Sequence, residues 1–501
     1  MVAVHMQHIT KRFGRVLAND DVELTITKGE IHALVGENGA GKSTLMHILY
    51  GIHQQDNGTI TVGNTIATIN SPADAIQLGI GMVHQHFMLI PPLTVVENII
   101  LGNEPTSYLQ IIDRLKATQS VKLLSESFHL TIDPGAKIES LSVGMQQRVE
   151  ILKILYRKAD ILILDEPTPV LTPQEIDALF ETLLHLKQQG KTIILITHKL
   201  NEVMTITDRV TVMRHGKVIA SIATKETSQQ ELARMMVGRD LIPLQASVTA
   251  SSPDIGLGLE HISALNDRHL PALHDISLTI AKKEIVGIAA IEGNGQSELI
   301  QVITGLRIPT TGKILIDGID ILHSKTNIPV SHIPEDRQKR GLVLDFTLKD
   351  NILLGRQDEQ QFNTAFSINQ NAVGVFAENI LERFDVRPLN VNQRARNLSG
   401  GNQQKVVIGR ELTKNATVII ASQPTRGLDI GAIEFVHRTL LQERDLGKSI
   451  LLVSSDLDEL LLLTNRIAVM YEGRIVFLTE TRRTTQRELG QYMTGTLRQT
   501  A

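Results

Sequence analysis

Residues 36–43 read "GENGAGKS", and their types and spacing point to one kind of chemistry. The pattern G-x-x-x-x-G-K-[ST] lets backbone N–H groups of a glycine-rich turn wrap phosphate oxygens, while the following helix N-terminus adds partial positive charge. Gly36, Glu37, Asn38, Gly39, Ala40 and Gly41 would form the turn. Lys42 would reach the β and γ phosphates, with Ser43, a ligand for Mg²⁺, and Thr44 opening the helix. A glycine turn that merely starts a helix is the bland alternative. The complete pattern, preceded by the apolar run "IHALV", argues against it.

Further residues fit the same chemistry. "ILILDEPT" (161–168) places Asp165 and Glu166 at the carboxyl end of an apolar strand, where open α/β sheets bind ligands. Asp165 would hold Mg²⁺ through water, and Glu166 would act as general base on the attacking water. His198, after the apolar run "TIILIT" (192–197), could donate to the γ-phosphate. Gln85, in "MVHQHF", could ligate Mg²⁺ and sense that phosphate, and Phe13 could stack on adenine. Taken alone, a strand-end histidine is more often structural and a lone Phe more often core.

These residues need elements to hold them, and the chain supplies two sets. At 501 residues it exceeds what one core usually supports. "HITKRFGRVLANDDVELTI" (8–26) is echoed by "HISALNDRHLPALHDISLTI" (261–280), and "LSVGMQQRVEILKIL" (141–155) by "LSGGNQQKVVIGREL" (398–412). A repeat this long is a duplicated domain, whereas solenoid periods are about 20–50 residues. We expect domains at 1–240 and 257–501, joined by a Ser-, Ala- and Pro-rich linker at 241–256. Strands near each start, a strand–loop–helix phosphate site, a mostly helical insert, and then alternating buried strands and amphipathic helices predict an α/β fold on a mostly parallel sheet.

Composition narrows the classes. The net charge of −4 gives no basic surplus for nucleic acid, and the absence of cysteine removes disulfides and thiolate metal sites. No stretch approaches the roughly 18 apolar residues of a membrane span, and the N-terminus lacks a signal peptide's apolar core. The chain reads as soluble by itself.

Loop, Gln85, "LS(V/G)G", "DEPT" and His198, in that order, resemble the nucleotide-binding domain of ATP-binding-cassette proteins. "LSGGNQQK" (398–405) is similar to that family's signature. The duplication, with "PEDRQKRGL" (334–342) and "QPTRGLD" (423–429), resembles the fused double ATPases of bacterial sugar and nucleoside importers. "MVHQHFMLIPPLTVVENIILG" (82–102) leans toward the nucleoside branch, with a simple sugar as the alternative. The resemblance implies ATP and Mg²⁺ as cofactors and two P-loop domains arranged head-to-tail. It implies two integral-membrane permease subunits, and through them an extracellular solute-binding protein. Membrane association would then be indirect, at the cytoplasmic face of a bacterial cell membrane, with the inserts near 91–140 and 345–395 facing the permeases.

The two copies have diverged. In the second, Ala290 replaces Gly36, Gln296 replaces Lys42, Ser422 replaces Asp165 and Gln423 replaces Glu166; Ser455 replaces His198 and Glu335 replaces Gln85. A neutral amide cannot take a proton from water, so this copy should not hydrolyse ATP. The first copy shows complementary damage. Val143 stands where the second has Gly400, and "PVLT" (169–172) ends in Thr172 where "RGLD" ends in Asp429. In the family, one domain's loop works with the other domain's signature. Sorted that way, the intact loop meets intact Ser399, Gly400, Gly401 and Asp429, and the damaged loop meets the damaged signature. One competent site is expected. Double-cassette ATPases acting on ribosomes are a distant alternative, opposed by the short linker, the negative charge and the degenerate site.

Overall fold

The computed structural model describes residues 1–14, 16–85, 87–106, 111–168, 171–239, 252–324, 330–364 and 367–497. The chain divides into two compact units, Met1–Ile242 and Pro243–Ala501. Each carries two sheets and a set of helices, the α/β architecture that the alternation of elements predicts.

In the first unit, Val2–Phe13 and Val16–Thr27 alternate buried and exposed side chains, as strands with one wet face do. They pair antiparallel and continue through Asn57–Val62 to Thr65–Ala67, forming a four-stranded sheet. A second, six-stranded sheet runs in the order Lys217–Ala223, Arg209–Arg214, Ile31–Gly36, Thr192–Ile196, Ile161–Asp165 and Ile80–Val83. Its pairings are parallel except at the Arg209–Ala223 hairpin. Every residue of Ile31–Gly36, Ile161–Asp165 and Thr192–Ile196 is buried, because core surrounds both faces. The carboxyl ends of these strands release the "GENGAGKS" turn, Glu166 and His198 along one edge of the sheet.

The second unit repeats this arrangement. Its four-stranded sheet is Pro271–Ala281, Ile255–Leu265, Thr311–Ile316 and Ile319–Asp320. Its six-stranded sheet is Val330–Ile333, Val418–Ser422, Ser449–Ser454, Glu284–Ala289, Arg466–Tyr471 and Arg474–Glu480. The likeness extends to irregularities. His8 sits in a register shift with φ 53° and pairs with Asp21 at 2.8 Å; His261 does the same with φ 52° and Asp275 at 2.7 Å. Bulges of this kind break the period-2 pattern, so alternation alone does not give the strand register.

Residues 241–251 of the expected linker lie outside the described residues. Its last two positions are corrected: Ile255 and Gly256 open the strand Ile255–Leu265, and the Gly256 carbonyl accepts a hydrogen bond from the Asp317 N–H at 3.0 Å. A side chain at 256 would collide with the Ser449 hydroxyl, so a glycine that reads as linker is a packing requirement. The inserts are helical as expected, with Val95–Ile100 and Arg114–Ser127 in the first unit and Leu348–Leu353 and Gln370–Arg383 in the second. Residues 107–110 and 365–366 within them lie outside the described residues. Among the described residues no helix is long and apolar enough to cross a membrane.

Two glycines test this packing. Gly58 has φ 102°, and a methyl there would lie 2.5 Å from the Gln7 carbonyl oxygen; Gly63 has φ 60° and open space around it. We expect Gly58→Ala to destabilise the first unit by roughly 2 kcal/mol or more, and Gly63→Ala by about 1 kcal/mol, the cost of backbone strain alone. Urea unfolding of the two variants side by side measures the difference, and equal losses would refute the steric account.

Candidate functional site

The phosphate-loop pattern adopts a geometry that its glycines permit. Gly39 and Gly41 take φ 83° and 96°, in the left-handed region. A methyl on Gly36 would lie 2.3 Å from the Met213 carbonyl oxygen, and one on Gly41 would lie 2.3 Å from that of Ala18. Asn38 and Gly39 are exposed at the tip, and Ala40 is buried beneath. The helix Lys42–Leu49 starts at once, with Thr44 half-buried in its first turn.

Lys42 is 6% exposed and donates to the carbonyls of Gly36 at 2.7 Å and Glu37 at 3.0 Å. Burial pushes its ammonium below the usual lysine range, and the charges of Glu166, Asp165 and Glu37 partly offset this. Asp165 is equally buried, and burial with the neighbouring Glu166 charge pushes it up to about 6, against a Ser43 hydrogen bond and the Lys42 charge. The Ser43 hydroxyl and Asp165 carboxylate are thus in contact. Two oxygen donors on a buried anionic patch suit a hard divalent cation. Among the described residues no group of three His, Cys, Asp or Glu side chains could hold a metal alone. Mg²⁺ there would have to complete its shell with water and phosphate oxygens, which is its usual habit.

Glu166 sits just past the strand with φ 46°, an uncommon conformation for a residue with a side chain. That turn aims its carboxylate at two partners: Gln85 donates from Nε2 at 2.9 Å, and His198 Nδ1 lies 3.0 Å from Oε1. Burial pushes Glu166 up, but the His198 hydrogen bond and charge, with Lys42 and Lys199, bring it below the ordinary carboxylate value. Gln85, Glu166, His198, Lys42, Ser43 and Asp165 therefore form one continuous cluster. Phe13 stands apart at the end of its strand, 43% exposed, edge-on to His53 with Lys11 over its ring. Its hairpin nevertheless reaches the loop, since Asn19 Nδ2 donates to the Gly41 carbonyl at 3.1 Å.

In the second unit the matching turn is built alike but wired differently. Gln423 keeps the left-handed turn at φ 44°, and its amide oxygen accepts from the Ser455 N–H and hydroxyl, both at 3.2 Å. Gln296 donates to the Ile291 carbonyl at 3.0 Å, as Lys42 does to that of Glu37, and its buried Oε1 has no partner. Arg426 bridges Glu292 of the loop, at 2.9 Å, to Glu335. Sequence reasoning missed Arg426.

The signature residues form their own cluster within the second unit. Ser399 caps the helix Gly400–Leu412, and Asp429 caps Ile430–Asp445, accepting from the Ala432 N–H at 2.7 Å. A methyl on Gly401 would lie 3.6 Å from Asp429 Oδ2 and 3.2 Å from the Ala432 side chain. In the first unit Ser142 caps Val143–Tyr156, and Val143 is 37% exposed. Thr172 caps the helix Pro173–Gln188, and Pro169 and Val170 lie outside the described residues. Here the signature turn has an anion beside it: the Ser142 hydroxyl donates to Glu175 at 3.4 Å, and a methyl on Gly144 would lie 2.4 Å from the same carboxylate oxygen. Glu175 was also missed. Its counterpart in register is Ala432, and that mismatch between the repeats was the available signal.

A family profile described as "ABC transporter" matches residues 19–169 and 273–426. The chain is 48% identical to the guanosine import ATP-binding protein NupO of Bacillus subtilis, over 99% of this chain and 98% of that protein. It is 46% identical to the nucleoside import ATP-binding protein NupA of Lactococcus lactis subsp. cremoris, over 98% of each. It is 42% identical to the glucose import ATP-binding protein TsgD13 of Haloferax volcanii, over 98% and 96%. A crystal structure of an archaeal ribosome recycling factor with its stalk protein superposes with TM-score 0.65 at 19% identity, covering 97% of this chain and 92% of that one; the likeness is one of fold alone.

The raised Asp165 carboxyl makes a stability prediction. Its value of about 6 lies above the ordinary 3.8, so ionising it in the fold costs stability; the cost begins near pH 4, grows to pH 6 and is complete above. In nucleotide- and Mg²⁺-free buffer, Asp165→Asn should therefore match wild type at pH 4 and exceed it by about 2–3 kcal/mol at pH 7.5. Thermal unfolding of both proteins across that range is the check, and a gap independent of pH would contradict it.

Proposed function

The chain belongs to the ABC transporter family of ATP-binding proteins, and on that premise we propose that it is the energy-coupling ATPase of a nucleoside importer with one competent ATP site. The observation that carries the single-site reading is the distribution of losses. The first unit keeps Lys42, Ser43, Gln85, Asp165, Glu166 and His198 in one cluster, joined by hydrogen bonds and by charge, but has Glu175 against its signature serine. The second unit keeps a serine, Ser297, at the Ser43 position but has replaced Lys42, Gln85, Asp165, Glu166 and His198, and it keeps Ser399, Gly400, Gly401 and Asp429. If the halves work as the family resemblance implies, the first unit's loop and the second unit's signature would together supply one complete set of site residues.

Within that site Lys42 and the N–H groups of residues 36–44 hold the phosphates. Ser43, Gln85 and, through water, Asp165 would hold Mg²⁺, which would supply charge neutralisation on the outer phosphates. Phe13 offers its exposed ring to adenine. Glu166 takes the proton of the attacking water. His198 is the switch in this arrangement: while it bonds Glu166 the carboxylate is a weak base, and turning its ring to the γ-phosphate frees that oxygen. The Ser399 hydroxyl and the N-terminus of the helix Gly400–Leu412 stabilise charge developing on the γ-phosphate. Val143 and Glu175 deny the first unit's signature that role.

The nucleoside assignment rests on full-length similarity to the two importers named for such solutes, against a lower identity to one named for glucose. Two integral-membrane permease subunits, an external solute-binding protein and a position at the cytoplasmic face of the membrane follow from the same role. Uptake of labelled guanosine and labelled glucose by a deletion strain, with and without the gene restored, tests it. Loss of glucose uptake alone would replace the nucleoside, and association with ribosomes rather than membrane proteins would overturn the role.

ATPase assays on the assembled transporter test the single site. Glu166→Gln should lower turnover by two or more orders of magnitude while ATP stays bound, because the base is gone and the shape is kept. Ser399→Arg should be nearly as severe, although it lies in the other half of the chain. Ser142→Arg should retain most activity. If Ser142→Arg proved as damaging as Ser399→Arg, both sites would contribute and the proposal would fail.

A further inference from the structure

In the second unit an arginine packs against both the signature turn and the loop that leads to Asp429. Arg337 follows the Glu335 position by two residues, and its guanidinium lies between two turns of the same unit. Nη1 donates to the Arg426 carbonyl at 2.8 Å and Nη2 to that of Gly427 at 3.4 Å, both in the loop that runs into Asp429. The guanidinium also faces the signature: a methyl on Gly400 would lie 2.6 Å from Nη2. Nε is buried without a hydrogen-bond partner.

Its bonds are thus to neutral carbonyls. Asp336 is its neighbour, but Oδ1 of that carboxylate already accepts from the N–H groups of Gln338 and Lys339. The planar fork suits this place, because one rigid group spans two successive carbonyls and packs flat against a glycine. Gly400 leaves the space that this guanidinium occupies, and a side chain there would have to displace it. The first unit has neither partner: Phe87 stands two residues after Gln85, and Val143 fills the glycine position. The signature of one unit is flanked by a cation and that of the other by Glu175.

We propose that Arg337 is a positioning residue for ATP hydrolysis, locking the Asp429 loop to the signature turn so that Ser399, Gly401 and Asp429 are presented as one rigid, cationic edge. This rests on the reading that the second unit's signature serves the first unit's phosphate loop.

Arg337→Ala in the assembled transporter should lower kcat about ten- to hundredfold, the scale of a small misplacement of a transition-state contact. KM for ATP should stay within about twofold, because nucleotide is held by the other half. Arg337→Lys, which keeps the charge but cannot span both carbonyls, should fall between. Gly400→Ala should cost less in the Arg337→Ala background than in wild type, since the colliding group is gone. Thermal unfolding separates misfolding from mispositioning, and Arg337→Lys carries the test if the alanine variant does not fold. Turnover of Arg337→Ala within twofold of wild type, a loss confined to KM, or an equal cost of Gly400→Ala in both backgrounds would each overturn the proposal. Ser399→Arg tells the two failures apart. If it spares turnover, the pairing of the halves is wrong; if it stops turnover while Arg337→Ala does not, only the role of Arg337 is.

Discussion

An ammonium and two carboxylates withdrawn from water each lose several kcal/mol of hydration, and Lys42, Asp165 and Glu166 are withdrawn together at one edge of a sheet. They tolerate this through one another and through Ser43, Gln85 and His198. The rest of the unit makes that possible. Strands buried on both faces hold their carboxyl ends rigidly in line, and the strained turn at Glu166 faces its carboxylate toward His198 rather than outward. Asp165 is left as the unrelieved member. Burial and the Glu166 charge there outweigh the Ser43 hydrogen bond and the Lys42 charge.

The second unit shows what remains when that demand is lifted. The turn at Gln423 keeps its left-handed backbone and its hydrogen bond across to the next strand, at 2.7 Å against 2.9 Å for Glu166. The turn has kept its strain although an amide stands where the first unit has a carboxylate. Gln296 occupies the lysine's position and reproduces one of its two carbonyl bonds, leaving its own oxygen unpaired. Arg426 with Glu292 and Glu335 ties loop to sheet edge by charge, in a place where the first unit uses neutral Asn38 and Gln85. At this turn the side chains have diverged while the backbone angle is shared, φ 46° against 44°.

The sequence was most legible where a function needs neighbouring residues. The loop is eight consecutive positions, and Asp165 and Glu166 announce themselves by ending an apolar run. Gln85 and His198 were readable through order along the chain, although their meeting at Glu166 joins residues 81 and 32 positions away. Glu175 and Arg337 were not legible, because each acts on a turn formed by a distant segment, 33 residues away for Ser142 and 89 for the Arg426 carbonyl. The repeats held a usable signal, since Glu175 matches Ala432 and Phe87 matches Arg337. The linker's end was misplaced because Gly256 reads as flexible when it is in fact crowded.

Two unequal units on one polypeptide also settle a problem of supply. Made as separate proteins, a half with a good loop and a half with a good signature would pair at random. Many of the resulting dimers would join two poor signatures or two poor loops. A shared chain fixes the ratio at one to one and raises each half's effective concentration near the other far above what a cell could maintain by expression. Selection then acts on the pair. On the proposed single-site reading, a lysine lost from one loop would be tolerated so long as its twin survives. On that reading, a single chain would give up interchangeability of its halves and release each from having to be complete.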